Sequence, residues 1–211
     1  MSKARASAST SRLRVRGSSP SARVRSPRRG LKAAALLLGA LLLSAAIAAP
    51  SSALAEQVCD TSHASLSAPS TRFADNGDGT VTDRESGLMW LQCSIGQRWT
   101  NSTCEGEPTF HDWTTAQAAA AATNRSGNQF FSDWRLPALR EMATITERQC
   151  RNPRINLSVF PNTAAVAHWT STPRPGTALS TAAFTLSFGD EGIEYQPLEQ
   201  RHAVRLVRSA K

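Results

Sequence analysis

No Asp or Glu occurs in the first 55 residues of this 211-residue chain, and a single Lys, Lys211, occurs after them. Together these absences explain the formal charge of +8. Ten of the 24 basic residues, from Lys3 to Lys32, lie in that first stretch, which leaves 14 against 16 acidic residues beyond it, a balance near −2. The basicity belongs to the leader, so the remainder is not built to hold nucleic acid. Catalytic signatures are missing as well. There is no H-E-x-x-H, no G-x-S-x-G, no phosphate-cradling glycine loop and no C-x-x-C pair. His63, His111, His168 and His202 are scattered and read as surface or strand residues. The expectation is a protein that is not an enzyme and takes no cofactor and no metal.

What is present begins with the leader. The basic stretch, the apolar run Ala33 to Ala49, and Ala53-Leu54-Ala55 before Glu56 form a secretory signal cut after Ala55. The 17-residue run reaches the lower limit for a bilayer span. Its alanine content and the Pro50 and small residues behind it favour cleavage, leaving no membrane attachment. Arg28-Arg29 partly resembles a twin-arginine signal, but Pro27 precedes it and no Phe follows. A secreted or periplasmic protein is expected. Its parts are a signal peptide (residues 1–55), an N-terminal tail (56–71) without periodicity, held at Cys59, and one domain (72–208).

All four cysteines lie beyond the leader. An exported chain with an even count suggests two disulfides, for which three pairings exist, with a zinc site as the alternative. The pairing taken is Cys93 with Cys104, closing a local loop, and Cys59 with Cys150, tying the tail to the end of a helix. Loop closure credits these with roughly 3 and 4 to 5 kcal/mol.

The domain opens on a β-meander. Asp75-Asn76-Gly77-Asp78-Gly79 and Ser86-Gly87 are turn signals around the β-branched Thr80-Val81-Thr82 and the apolar Leu88-Met89-Trp90. Neither calcium-loop register fits: starting at Asp75 puts glycines at the third and fifth positions, and starting at Asn76 puts Gly87 at the twelfth. Asx turns are expected, and a surface calcium sharing Asp75, Asp78 and Asp83 is the alternative.

Farther on, Asp112 caps a helix over Trp113 to Thr123, whose small face is Ala116, Ala119, Ala120 and Thr123. Phe130 to Pro137 reads as a short buried strand. Leu139, Met142, Ala143, Thr146 and Cys150 then give one face of a second helix, with Arg140, Arg148, Arg151 and Arg154 outside it. His168 to Ser171, Ala183 to Phe188, Ile193 to Tyr195 and Ala203 to Arg208 are strand candidates. Trp90, Trp134 and Trp169 are expected in the core, Trp99 is the candidate sugar-stacking platform, and Arg135 is expected buried and paired.

Five ordered motifs carry a resemblance: Phe73 to Asp83, Gly87-Leu88-Met89-Trp90, Asp133 to Pro137, Phe160-Pro161-Asn162-Thr163 and Val204 to Arg208. They resemble the Legionella collagen-like protein C-terminal domain family, from about Arg72 to Arg208. The resemblance implies an α+β, C-type lectin-like fold, mainly antiparallel sheet with two helices and disulfides. It also implies a binding or adhesion module, since the family's named member is an adhesin whose domain binds sulfated glycosaminoglycans. Partners are then a glycan or a surface protein. A structural envelope protein without soluble ligand is the alternative. The formylglycine-generating enzymes also resemble this fold but need a reactive thiol pair. This sequence departs from the family in having no Gly-x-y run, a mature chain poor in Lys, and Ala138 where a capping Thr is usual, at a cost of about 1 kcal/mol.

Binding residues sit on loops held by a rigid scaffold. Lectin-like folds use their late loops, here Thr172 to Ser180, Gly189 to Gly192 and Gln196 to His202. Arg174, Asp190, Glu191, Glu194 and Arg201 are the expected ligand contacts, with Trp99 beside them. An anion patch of Arg140, Arg148, Arg151 and Arg154 is the alternative face.

Overall fold

The computed structural model describes residues 56–126, 131–176 and 181–210. The expected leader and its expected cleavage site, Phe130 and residues 177–180 of the expected late loops lie outside the described residues. The strands are β1 (Val58–Cys59), β2 (Phe73–Asp75), β3 (Thr80–Asp83), β4 (Leu88–Leu91), β5 (Arg98–Thr100) and β6 (Thr103–Glu105). Helices α1 (Trp113–Ser126) and α2 (Leu139–Thr144) follow. Then come β7 (Cys150–Arg151), β8 (Ala167–Pro173), β9 (Ala182–Ser187), β10 (Ile193–Pro197) and β11 (Val207–Ser209). The described residues form a mixed α and β fold with antiparallel sheets, two α-helices and two disulfides. No helix among the described residues is long and apolar enough to cross a membrane.

The meander forms as its turns require, in the order β11-β4-β3-β2 with Val81 opposite Trp90 and Trp90 opposite Val207. At its first turn the Asp75 carboxylate accepts the Gly77 N–H at 2.9 Å, and that of Asp78 accepts the Thr80 N–H at 2.9 Å, the expected Asx arrangement. Asp83 is buried and ion-paired with Arg72, so it is not free to join the other two aspartates around a cation. Among the described residues no three His, Cys, Asp or Glu side chains gather as metal ligands.

A second sheet runs β10-β9-β8, and α2 packs on β8 and β9. The stretch 203–208 crosses from one sheet to the other. Trp169 N–H donates to Ala203 C=O in the second sheet, and Leu91 N–H donates to Leu206 C=O in the first. This crossing is why β11 begins only at Val207. Trp90, Trp134 and Trp169 are buried, as expected. One cluster gathers Trp90, Phe160, Met142 and Ile145; the other gathers Trp134, Trp169, Leu206 and the small face of α1, Ala116 with Ala120. Both disulfides have the expected partners, Cys59 with Cys150 and Cys93 with Cys104.

Four expectations need correction. Residues 131–138 form no strand and make one bridge, Arg135 with Val207. The Asn124 side chain takes both backbone groups of Trp134, at 2.8 and 2.9 Å, in place of a ladder partner. Helix α2 stops at Thr144 instead of reaching Cys150. The run Thr144-Ile145-Thr146 is β-branched, which disfavours continuing the helix, and the chain folds back with Glu147 N–H on Arg154 C=O at 3.0 Å. Cys150 therefore sits on β7, and the long disulfide ties strand to strand. Arg135 is 45 % exposed and bidentate with Glu141 at 2.7 and 2.8 Å. Among the described residues the buried arginines are Arg205 and Arg208.

The fourth correction concerns the tail, which is held at far more than Cys59. Its anchor is Glu147, a buried carboxylate that accepts the Ser67 N–H at 2.9 Å, the Ala68 N–H at 2.8 Å and the Ser67 hydroxyl at 3.0 Å. Asn156 adds a bond to Ala68 C=O. At the start of α2, Glu141 accepts the Ala138 N–H at 2.7 Å. Another free donor of the first turn is taken from β8, where the Thr172 hydroxyl accepts the Leu139 N–H at 3.0 Å.

Candidate functional site

Three segments meet beside the long disulfide. The first is the strap that follows β1, bonded by Asp60 N–H to Gln149 C=O at 2.7 Å. The second is the fold-back 146–154, closed by the Thr146–Ile155 bridge. The third is the β9–β10 turn, brought alongside because Arg154 N–H donates to Phe188 C=O at 2.7 Å. Between them lies a cleft of about 390 Å³ whose lining includes Asp60, His63, Arg148, Arg151, Arg154 and Asp190. Among the described residues, none of these three arginines forms an ion pair within 4.0 Å. Such a cleft offers guanidinium donors to an acid group and two carboxylates to hydroxyl donors. The Ser62 hydroxyl and N–H hold the Asp60 carboxyl below its ordinary range, so it stays ionised.

The site joins what the sequence treats as rival faces. Arg148, Arg151 and Arg154 of the anion patch share it with Asp190 of the late loops, while Arg140, exposed on α2, stays outside it. The other late-loop candidates do not converge. Glu191 accepts the Ser187 hydroxyl inside its own turn, and that bond lowers its carboxyl. Glu194 accepts from Gln196 on β10 at 2.9 Å. Arg174 lies over the Tyr195 ring at 5.0 Å, and Arg201 donates twice to Phe110 C=O. Trp99 is half-buried against Gly79, where a Cβ would meet its ring at 2.7 Å, and borders a separate cleft of about 100 Å³. Its inner face is used by the protein.

Sequence reasoning missed Asp60 and Gln149 as cleft residues and counted His63 only as a scattered histidine. The Cys59–Cys150 pairing was the signal available, because it sets residues 58–63 beside 148–151. It also missed the buried polar centre behind the meander. Arg205 donates to the carbonyls of Leu91 and Gln92 and to the hydroxyls of Ser94 and Thr163, and lies over Phe160 at 5.0 Å. Burial lowers it to about 9, so it remains a cation at neutral pH. Next to it, His168 contacts Ser94 Oγ at 3.2 Å and Val166 C=O at 3.0 Å, and burial and then Arg205 lower it to about 3. With both groups buried and internally bonded, this centre holds the two sheets together.

A comparison with the curated proteins finds no match. The family model described as the Lcl C-terminal domain matches residues 79–208, from the end of the first meander turn into β11, and so covers β3 to β10, both helices, the fold-back and the β9–β10 turn, with β2 ahead of it. The strap lies ahead of the matched stretch and supplies the cleft's Asp60 wall. By this match over more than half its length, the chain belongs to the Lcl C-terminal domain family.

Proposed function

We propose that the protein is an exported binding module of C-type lectin-like type, without catalytic role, that holds an acidic surface glycan in the arginine cleft. The observation that carries this reading is the gathering of Arg148, Arg151 and Arg154 in one cleft with no ion pair among the described residues. A guanidinium matches the planar geometry of a carboxylate and meets a sulfate equally well. Asp60 and Asp190 would accept from ring hydroxyls, which a bare inorganic anion does not offer. Export is supported by the leader pattern and by the two disulfides, which fit an oxidising compartment.

The test is a glycan array on the purified, disulfide-intact protein, repeated at rising salt. Glycans bearing uronate or sulfate should be retained and neutral ones not, with affinity falling as salt screens exposed charge. The Arg148→Ala, Arg151→Ala double variant should weaken binding about tenfold or more. Loss in Arg174→Ala with Arg201→Ala, and none in the cleft variant, would move the site to the late loops. Absence of any retained glycan would favour a structural envelope role.

A further inference from the structure

The arginine cleft shares two of its lining residues with a second hollow of different character. A groove of about 380 Å³ is lined by Ala143, Thr146, Leu186, Ser187, Gly192 and Ile193, and by Arg148 and Arg154, which also line the cleft. Leu186 is buried, whereas Ile193, at the start of edge strand β10, is 53 % exposed. One exposed isoleucine is ordinary on a protein surface. An apolar groove that opens beside two arginines without ion pairs among the described residues is a more specific arrangement. A wholly apolar occupant would draw those guanidinium groups out of water with no partner, at a cost. A wholly polar occupant would leave the exposed Ile193 and the half-buried Ala143 wet.

We infer that the ligand of this site is an acidic sugar carrying an apolar substituent, its acid group between Arg148 and Arg154 and its alkyl or acyl part against Leu186, Ala143 and Ile193. This rests on the arginine-cleft reading and adds a second determinant to it. The charge of the shared arginines selects the acid, and the groove selects what is attached to the acid.

Hexyl β-D-glucuronide, glucuronate and hexyl β-D-glucoside separate the two determinants when each is titrated into the purified protein and followed by calorimetry or amide shifts. The hexyl glucuronide should bind about tenfold tighter than glucuronate, as burial of two or so methylenes gives, and tighter than the neutral glucoside. Ile193→Ser should remove that gain while leaving glucuronate affinity and the melting temperature unchanged. Arg148→Ala should weaken both acids. Equal affinity for the two acids, or a gain that persists in Ile193→Ser, overturns the apolar determinant and leaves the arginine cleft standing. If neither acid binds, the cleft reading falls and this inference falls with it.

Discussion

The protein uses arginine in two opposite ways on its two sides. Around the meander, Arg72, Arg205 and Arg208 are turned inward and engaged, by Asp83, by two carbonyls and two hydroxyls, and by Asp133. Around the strap, Arg148, Arg151 and Arg154 line a cleft, and none has an ion-pair partner among the described residues. The first set costs desolvation that hydrogen bonds must offset, so removing one member leaves buried groups without partners. The second set contributes little to stability and is open to a ligand. The difference teaches where to look for function in a chain whose mature part is nearly neutral: at the cations left without an ion pair among the described residues.

The largest effect that sharpens this contrast comes from the disulfides. The strap disulfide joins residues 91 apart, and loop closure gives its removal by Cys59→Ala with Cys150→Ala a cost of about 4 to 5 kcal/mol. Removing the 11-residue link between Cys93 and Cys104 should cost about 3 kcal/mol. Urea melts measure both. Anion binding should weaken only in the strap variant, because that variant loosens a wall of the cleft.

Next in size is Arg205→Ala, expected to destabilise by about 3 kcal/mol because it strands buried carbonyls and hydroxyls. Arg148→Ala should stay within about 0.5 kcal/mol of the parent by the same melts. Equal losses would erase the distinction between the two sets.

Acid should act on the buried centre before it acts on the strap. Burial holds His168 down to about 3 in the folded protein, against an ordinary value near 6.5, so the unfolded chain takes up the proton first. Stability is therefore full above about pH 6.5 and falls with decreasing pH by about 1.4 kcal/mol per unit. For Glu147, burial alone would raise the carboxyl, but the N–H groups of Ala68, Ser67 and Gln149 and the Ser67 hydroxyl hold it below its ordinary value. Its contribution is present above that value and is lost at still lower pH, as the carboxyl protonates and the strap loosens. Urea midpoints at about pH 7 and 5 should differ, and His168→Gln should reduce the difference, leaving the part that His111 and His202, also lowered by burial, contribute.

Much of this was legible in the sequence. Asp75, Asp78 and the glycines fixed the meander, Asp112 fixed the start of α1, and the cysteine spacing suggested both pairings. The fold-back 146–154 was not legible, because the 3, 4 spacing through Thr146 and Cys150 imitates a helix. Only the partners of Glu147, which lie some 80 residues earlier, say otherwise. The candidate site suffered from the same error. Placing Arg148 to Arg154 on a helix face separated them from Asp190, whereas the fold-back brings them to one cleft.

The most direct measurement is an NMR titration of the arginine Nε–Hε resonances with an oligoglucuronate. Shifts confined to Arg148, Arg151 and Arg154, with Arg205 and Arg208 unmoved, are the predicted result. Shifts confined to Arg174 and Arg201, or none at any arginine, would contradict the account.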